Sequence, residues 1–159
     1  MKPGIVSLLA AAFCVCAVSA ARAHHSHPYF YDQCTSITIE GRVDSVRWID
    51  PHVIVLLRLD DGTAYTVDWF ALRNMTRAGT IGPAKAALVP QARIVVTGNP
   101  IRTLAQIRER FPDYPRDVNP NTIDAMLIRR VDNTWSLGRT PADRMPDSVP
   151  PSCAEEAKK

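Results

Sequence analysis

The chain has 159 residues, of which 46% are hydrophobic and 22% are charged, and its formal net charge is +3. A chain of this length and composition can form one domain with a modest core. Its 19 Lys and Arg residues are nearly balanced by 16 Asp and Glu residues, which argues against the concentrated basic face that nucleic-acid binding requires.

The N-terminal segment is typical of a cleavable signal peptide. Lys2 precedes an uncharged run over residues 5–21, and Ala21-Arg22-Ala23 has the small-x-small pattern that signal peptidase accepts. Because the apolar part is short and rich in Ala, a retained membrane anchor is the weaker interpretation. We predict cleavage after Ala23, a mature chain that begins at His24, a periplasmic or secreted location and no membrane attachment after cleavage. The mature formal charge would then be +1, since residues 1–23 contain two basic residues and no acidic ones.

The remaining chain alternates between strand-like and turn-like segments. Apolar residues alternate from Ser36 onward, and Asp60-Asp61-Gly62 is the strongest hairpin turn signal. Segments of helix-compatible composition interrupt the strands in the middle of the chain. The predicted strands cover residues 36–43, 52–59, 63–69, 93–97, 123–131 and 134–137, and the predicted short helices cover residues 70–78, 83–89 and 103–111.

Five or six short, mostly antiparallel strands with a helical interruption favour a mainly β fold. The prediction is a small closed antiparallel barrel of the oligonucleotide/oligosaccharide-binding (OB) type with one or two short helices. A two-sheet β-sandwich is the alternative. The barrel is assigned to residues 24–138, after the signal peptide of residues 1–23. The Pro-rich residues 139–159 are predicted to form an irregular tail.

Two cysteines remain once the signal peptide is removed. Cys34 lies near the start of the mature chain and Cys153 lies near its end. A lone pair of cysteines in an oxidising compartment usually forms one disulfide, so we predict a bond between these two residues. Metal ligation or a reactive thiol is the alternative.

The four histidines are concentrated in two places. His24, His25 and His27 lie in the first four residues of the predicted mature chain, and His52 begins a strand. Imidazole is a common ligand of copper, zinc and nickel. Cleavage after Ala23 would give His24 a free α-amine beside its ring nitrogen, so that this one residue could chelate an ion. A further nitrogen from His52 would complete a histidine brace, a T-shaped nitrogen site that favours copper.

Three other residues are candidates for supporting this site. Asp50 lies two residues before His52 and could orient its imidazole, although it could equally cap the turn that follows it. Tyr31 and Asp32 could lie around the ion, although aromatic residues before a barrel strand often only pack.

The histidines also have interpretations that involve no specific metal site. Residues 24–27 could be an unordered, weakly chelating tail, and His52 could be a structural residue satisfied by a hydrogen bond.

Six short segments of the chain are informative as a set, because together they match a pattern that no single segment shows. They are His24-His25-Ser26, Gly41-Arg42-Val43, Trp48-Ile49-Asp50-Pro51-His52, Val67-Asp68-Trp69, Arg77-Ala78-Gly79 and residues 93–100. Together they resemble a family of small exported bacterial proteins of unknown function, which have a mature HHS start and an Asn/Asp-Pro-His motif on a small β-barrel. The resemblance covers residues 24–100. It implies the fold and the pairing of the N-terminal histidines with His52, but no reaction.

The leading hypothesis is therefore an exported metal-binding protein. We expect a periplasmic or secreted protein that binds, carries or delivers copper, with His24 and His52 as ligands and His25 or His27 contributing. The metal ion is the expected partner, and a periplasmic partner protein is a further candidate.

Two other classes of function remain open. The first is a non-metal binding module whose barrel face presents aromatic residues to a small molecule, a glycan or a protein; these residues are Tyr29, Tyr31, Trp48 and Trp69. The second is a copper oxidase or monooxygenase, which ranks last because the chain is short and offers no evident substrate platform. The sequence contains no Gly-rich phosphate loop and no Ser nucleophile motif, so it favours a protein without catalytic activity.

Overall fold

Short strands and shorter helices alternate through the part of the chain that the structure describes. The computed structural model describes residues 27–139 and Cys153. The strands are β1 (Ile37–Arg47), β2 (Ile54–Arg58), β3 (Ala64–Asp68), β4 (Arg93–Pro100), β5 (Thr122–Arg130) and β6 (Ser136–Gly138). The helices are α1 (His27–Phe30), α2 (Leu72–Arg77), α3 (Ile81–Ala87) and α4 (Leu104–Arg110). The six predicted strands are all present, whereas α1 is an element that the sequence pattern did not predict.

Five of the strands close into a barrel. β1 pairs antiparallel with β4 through its first half and with β2 through its second half. β2 pairs antiparallel with β3, and β4 pairs antiparallel with β5. A parallel pairing of β3 with β5 closes the ring, and β6 extends the sheet beyond β5. This closed five-stranded arrangement confirms the predicted OB-like barrel rather than the sandwich. One detail differs, since the closing pair is parallel and the barrel is therefore mixed.

The pairing of β1 changes from β4 to β2 next to Gly41. Gly41 pairs with Ile94 of β4, and the next residue, Arg42, pairs with both β4 and β2. A Cβ atom at Gly41 would lie 2.5 Å from the backbone carbonyl oxygen of Arg58. Only glycine permits this approach without a shift of the backbone, so the residue type at this position belongs to the barrel geometry.

The core fills the barrel interior and continues under the helices between β3 and β4. Strand residues of alternate positions point inward and are fully buried, as the period-2 pattern predicts. They are Val43, Val55, Leu57, Val67, Ile94, Val96, Ile123 and Ile128. Met75 of α2 and Ala84 of α3 belong to the same buried cluster. Burial of this apolar surface is the main stabilising contribution to the fold.

The two cysteines of the described chain are joined, as the cysteine count predicts. Cys34 and Cys153 form a disulfide that links residues 119 positions apart. Residues 140–152 and 154–159 of the predicted tail lie outside the described residues, as do residues 1–26, which include the predicted signal peptide. Within the described part of the chain, no helix is long and apolar enough to cross a membrane.

Candidate functional site

Two carboxylates lie side by side on the outside of the barrel where β3 meets β5, a place we call the barrel seam. Asp68 of β3 and Asp124 of β5 share one register position in the parallel ladder. Their preceding neighbours, Val67 and Ile123, are also paired and are fully buried in the core. Since side chains alternate along a strand, the two carboxylates project from the opposite face. Like charges in directly opposed positions destabilise a sheet unless cationic groups offset them.

Two histidines provide these partners. Nδ1 of His27 lies 2.8 Å from Oδ2 of Asp124, and Nδ1 of His52 lies 2.7 Å from Oδ1 of Asp68. The hydroxyl of Tyr31 donates a hydrogen bond of 2.9 Å to Oδ2 of Asp68. Each carboxylate therefore accepts a hydrogen bond from one imidazole, and Asp68 accepts a second from a phenol.

The two imidazoles, which we call the histidine pair, are neighbours. The ring centroids of His27 and His52 are 4.9 Å apart and the ring planes differ by 17°, so the rings are stacked. Tyr31 also lies against His27, with ring centroids 5.9 Å apart. Residues that are 25 positions apart in the chain thus place two ring systems on the same patch of the seam.

The segments that carry the histidine pair are held by backbone hydrogen bonds. His27 belongs to α1, and the carbonyl of Phe30 at the end of α1 accepts from the N–H of Arg102, while the N–H of Asp32 donates to the carbonyl of Pro100. His52 precedes Val53, whose N–H and carbonyl pair with residues 70 and 69 beyond β3. Backbone hydrogen bonds to the barrel therefore position the segments that carry both imidazoles.

Burial and the two carboxylates together shift the pKa values of His27 and Tyr31. The hydrogen bond to Asp124 raises the pKa of His27 above its usual 6.5, although partial burial opposes this effect. Burial, together with the charge of Asp68, raises the pKa of Tyr31 far above its usual value of 10. The phenol of Tyr31 consequently stays protonated and acts as a donor, which leaves Asp68 as the acceptor for both Tyr31 and His52.

A cleft of about 960 Å³ opens beside the histidine pair. Its lining combines the polar seam with apolar and aromatic surface, a combination that is usual for small-molecule sites. The residues that line it include His27, His52, Trp69, Asp124, Met126 and Arg139. Trp69 is 2% exposed, and its Nε1 is buried without a hydrogen-bond partner among the described residues.

The structure places the site residues predicted from sequence in different surroundings. His27, His52 and Tyr31 come together at the seam. Asp50 lines the same cleft, where its Oδ1 accepts from the backbone N–H of Arg73, and Asp68 is the residue that binds Nδ1 of His52. His24 and His25 lie outside the described residues.

Asp32 supports the chain after α1. Its carboxylate accepts hydrogen bonds from the backbone N–H of Cys34 and the hydroxyl of Thr35, and it lies 3.7 Å from the guanidinium of Arg102. These contacts stabilise the turn that leads from α1 into β1. Asp32 therefore acts on the path of the chain rather than on the imidazoles.

The two residues that sequence reasoning missed are Asp68 and Asp124. Each is a single acid within an otherwise apolar strand segment, which is the one local signal that could have singled it out. Their proximity depends on the parallel pairing of β3 with β5. Within residues 27–139 and Cys153, no group of three or more His, Cys, Asp or Glu side chains is arranged to hold a metal ion. The described residues offer two imidazoles.

Among solved structures, the chain is similar to one in the crystal structure of the S. pombe Stn1-Ten1 complex, with 12% sequence identity and a TM-score of 0.39. The match covers 68% of this chain and 61% of the other, so this protein spans less than two thirds of that chain's length. No curated protein matches the chain.

A family model matches residues 11–107, a span that includes all four histidines and Asp68. Its description is a family of unknown function, DUF6152. The expectation of a family of unknown function is thereby confirmed, and the chain belongs to the DUF6152 family.

Proposed function

We propose that the protein is an exported copper-binding protein whose ion is held by the histidine pair together with the N-terminal histidines. The observation that carries the proposal is that each imidazole of the pair has its Nδ1 anchored by a carboxylate at the barrel seam. Binding, carriage or delivery of copper would need no catalytic group beyond these ligands.

The anchoring of Nδ1 has a direct chemical consequence. When Nδ1–H donates to a carboxylate, the neutral imidazole carries its lone pair on Nε2 and its orientation is restrained. Histidines that bind metals in proteins almost always have such an outer partner, and loss of that partner typically lowers metal affinity 10–100-fold. His27 and His52 both have this arrangement, and their rings are stacked 4.9 Å apart.

The N-terminus of the predicted mature chain is within reach of this pair. His24 precedes His27 by three residues, so its Cα cannot lie further than about 10 Å from that of His27. Cleavage after Ala23 would give His24 a free α-amine beside its ring nitrogen, and the chain length permits both to reach the seam. The α-amine has a pKa of about 7.7–8.0, so an ion can displace its proton near neutral pH.

The donor set determines which ion is favoured. The α-amine and imidazoles are nitrogen donors, and tetragonal nitrogen sites suit Cu(II), which also binds more tightly than Zn(II) at a given site of this kind. Copper is therefore the expected ion. Zinc is the alternative ion, and titration of each metal into the protein distinguishes the two.

A second candidate function rests on the cleft. Its volume of about 960 Å³ and its aromatic surface, with Trp69 and Phe70 in contact at a centroid distance of 5.3 Å, suit a small organic molecule. In that case binding would not depend on the imidazoles. Titration of metal into histidine variants separates the two functions.

The test is isothermal titration of Cu(II) and Zn(II) into protein that begins at His24, with the N-terminus verified by mass spectrometry. Two variants, His52→Asn and His27→Asn, are compared with it. An Asn amide retains a donor close to the position of Nδ1 but has no counterpart of Nε2, so it preserves the contact with the seam while removing the ligand atom. A third form carries one extra N-terminal residue and blocks the chelate of His24.

We expect one copper ion per chain and a loss of affinity of about tenfold or more in each altered form. The control is Asp132→Asn, which changes an exposed carboxylate in the turn between β5 and β6 and should leave copper affinity unchanged. Copper binding that is equal in all forms would contradict the proposal, and binding that is stronger for Zn(II) would change the ion.

A further inference from the structure

We infer that the cleft binds an aromatic carboxylate, whose ring packs against Phe70 and whose carboxylate pairs with the guanidinium groups of Arg73 and Arg139. This inference rests on the second candidate function and deepens it, since it names the chemical class of the small molecule that the cleft takes. It requires no copper, and its test is carried out without metal.

The residues that line the cleft come from two groups of segments. The turn before β2 and the segment that leads from β3 into α2 contribute Pro51, Phe70 and Arg73. The middle of β5 and the chain just after β6 contribute Ala125 and Arg139. The volume of about 960 Å³ is in the usual range of small-molecule sites. Each group of segments therefore supplies one arginine to a cleft that a ligand with one or two rings can enter.

Phe70 gives the cleft an aromatic surface that is held in place. Its ring stacks on that of Trp69, with centroids 5.3 Å apart and planes that differ by 26°. Trp69 is 2% exposed and meets Trp135 edge to face at a centroid distance of 6.1 Å, so the core holds it. Phe70 is 38% exposed. The part of the Phe70 ring that Trp69 does not cover can pack against the ring of a ligand.

The guanidinium groups of Arg73 and Arg139 have no carboxylate partner within the described residues. The backbone N–H of Arg73 donates to Oδ1 of Asp50 at 3.2 Å, and the backbone N–H of Arg139 donates to the carbonyl of Met126 at 2.9 Å. Their side chains form no ion pair in that part of the chain, whereas other arginines do. Those with a carboxylate partner are Arg58, Arg93, Arg102 and Arg130.

The acidic residues of the cleft are already bonded to other groups. Asp124 contacts His27 at 2.8 Å, and Asp50 accepts from the backbone of Arg73. A guanidinium presents its N–H donors as a planar fork that matches the two oxygens of a carboxylate, and it also stacks on aromatic rings. A ligand that brings its own carboxylate on an aromatic ring therefore matches both the unpaired guanidinium groups and the exposed ring of Phe70.

The test uses two probes of nearly the same shape, 2-naphthoate and its uncharged counterpart 2-naphthamide. Their affinities are measured by isothermal titration into protein in EDTA, so that copper makes no contribution. The variants are Arg73→Gln and Arg139→Gln. The matched control is Arg77→Gln, because Arg77 is an exposed arginine of the same helix α2 that does not line the cleft. Urea denaturation verifies that each variant folds.

We expect 2-naphthoate to bind about tenfold more tightly than 2-naphthamide. Each of the variants Arg73→Gln and Arg139→Gln should weaken the binding of 2-naphthoate about three- to tenfold, and it should leave that of 2-naphthamide within about twofold, because only the charged probe pairs with a guanidinium. Arg77→Gln should change neither affinity.

Asp50 allows a test in the opposite direction. Asp50→Asn keeps an oxygen that can accept from the backbone of Arg73 but removes a negative charge from the cleft. The affinity for 2-naphthoate should rise about two- to fivefold, while that for 2-naphthamide stays unchanged. Damage to the structure would not strengthen binding, so a gain that is confined to the charged probe supports the inference.

Equal affinities of the two probes for the wild type would overturn the inference and leave the cleft as a site for uncharged molecules. A loss in Arg77→Gln as large as that in Arg73→Gln and Arg139→Gln would also overturn it, because the attraction would then be a property of the whole surface. Absence of binding of both probes would overturn the inference together with the second candidate function. None of these results bears on copper binding, which the separate metal titration decides.

Discussion

The barrel carries acidic side chains in two settings, and their partners differ. On the surface, the guanidinium of Arg93 contacts Glu40 at 2.6 Å and Asp60 at 3.0 Å, a group we call the arginine cluster. At the barrel seam, Asp68 and Asp124 are less than 20% exposed and are paired with imidazoles. An arginine is always charged and has no lone pair to donate, whereas a histidine can exchange a proton or bind a metal. Of these two regions, the seam is therefore the one whose charge can change with pH or with a bound metal ion.

Loss of the Asp68 carboxylate should have the largest effect on stability and on copper affinity, and so should separate the two regions most clearly. Asp68→Asn keeps the shape but removes the charge that strengthens the hydrogen bonds from His52 and Tyr31, and a hydrogen bond to a charged group is worth about 1.5–3 kcal/mol. We expect the free energy of unfolding in urea to fall by about that amount and copper affinity to fall about 10–100-fold. Unchanged values for both quantities would show that the seam is as inert as the arginine cluster.

The backbone under the seam should also be intolerant of added volume. A Cβ atom at Gly98 would collide with the backbone carbonyl of Asp124, so Gly98→Ala should lower the free energy of unfolding by about 1–3 kcal/mol. The control is Gly82→Ala in α3, where a Cβ atom would meet nothing within 4 Å. Because alanine favours a helix over glycine, this control should raise the free energy of unfolding by about 0.5–1 kcal/mol. Urea denaturation measures both, and equal effects would contradict the prediction.

The phenol of Tyr31 should contribute less to stability and to copper affinity than the carboxylate that it binds. Tyr31→Phe removes the hydroxyl donor to Asp68 and keeps the ring that lies against His27. We expect a loss of about 0.5–1.5 kcal/mol in the free energy of unfolding. His52 still anchors to Asp68 in this variant, so copper affinity should fall less than in Asp68→Asn. A larger effect on affinity than that of Asp68→Asn would assign the main anchoring role to Tyr31.

The pH dependence of the metal-free protein tests the ionisation of the seam. Because the folded-state pKa of His27 is raised above 6.5, the folded protein binds this proton more tightly than the unfolded chain does. The resulting stabilisation is fully present below pH 6.5 and is lost as the pH rises through the raised folded-state pKa. We expect the stability difference between the wild type and His27→Asn, measured by urea denaturation in EDTA, to shrink over that interval. A difference that grows with pH would contradict the assigned direction.

The smallest effect is expected in the arginine cluster. Arg93→Gln removes its contacts with Glu40 and Asp60, but these groups are exposed and their mutual attraction is screened by solvent and salt. We expect copper affinity to stay within about twofold of the wild type, which corresponds to well under 1 kcal/mol of binding free energy. A loss of affinity comparable to that of Asp68→Asn would show that the effect of the seam is not local.

The strand pattern was largely predictable because it depends on local chemistry. The turn at Asp60-Asp61-Gly62 has a glycine with φ of 88° and a carboxylate that accepts from the N–H of Thr63, as a hairpin signal of this kind requires. The helix α4 begins with a capping box between Thr103 and Gln106, within the segment predicted to be helical. The cleavage site and the roles of His24 and His25 stay predictions.

The sequence by itself determined the mainly β fold, the pairing of Cys34 with Cys153 and the candidacy of His27 and His52, because each depends on residue type, periodicity or count. Only the tertiary structure placed Asp68 beside Asp124, since their register exists solely in the parallel pairing of β3 with β5. It also decided which carboxylate anchors which imidazole and put Arg139 on the wall of the same cleft. The physical reason is that a strand pattern specifies which face a residue occupies, whereas barrel closure specifies which residue of a distant strand becomes its neighbour.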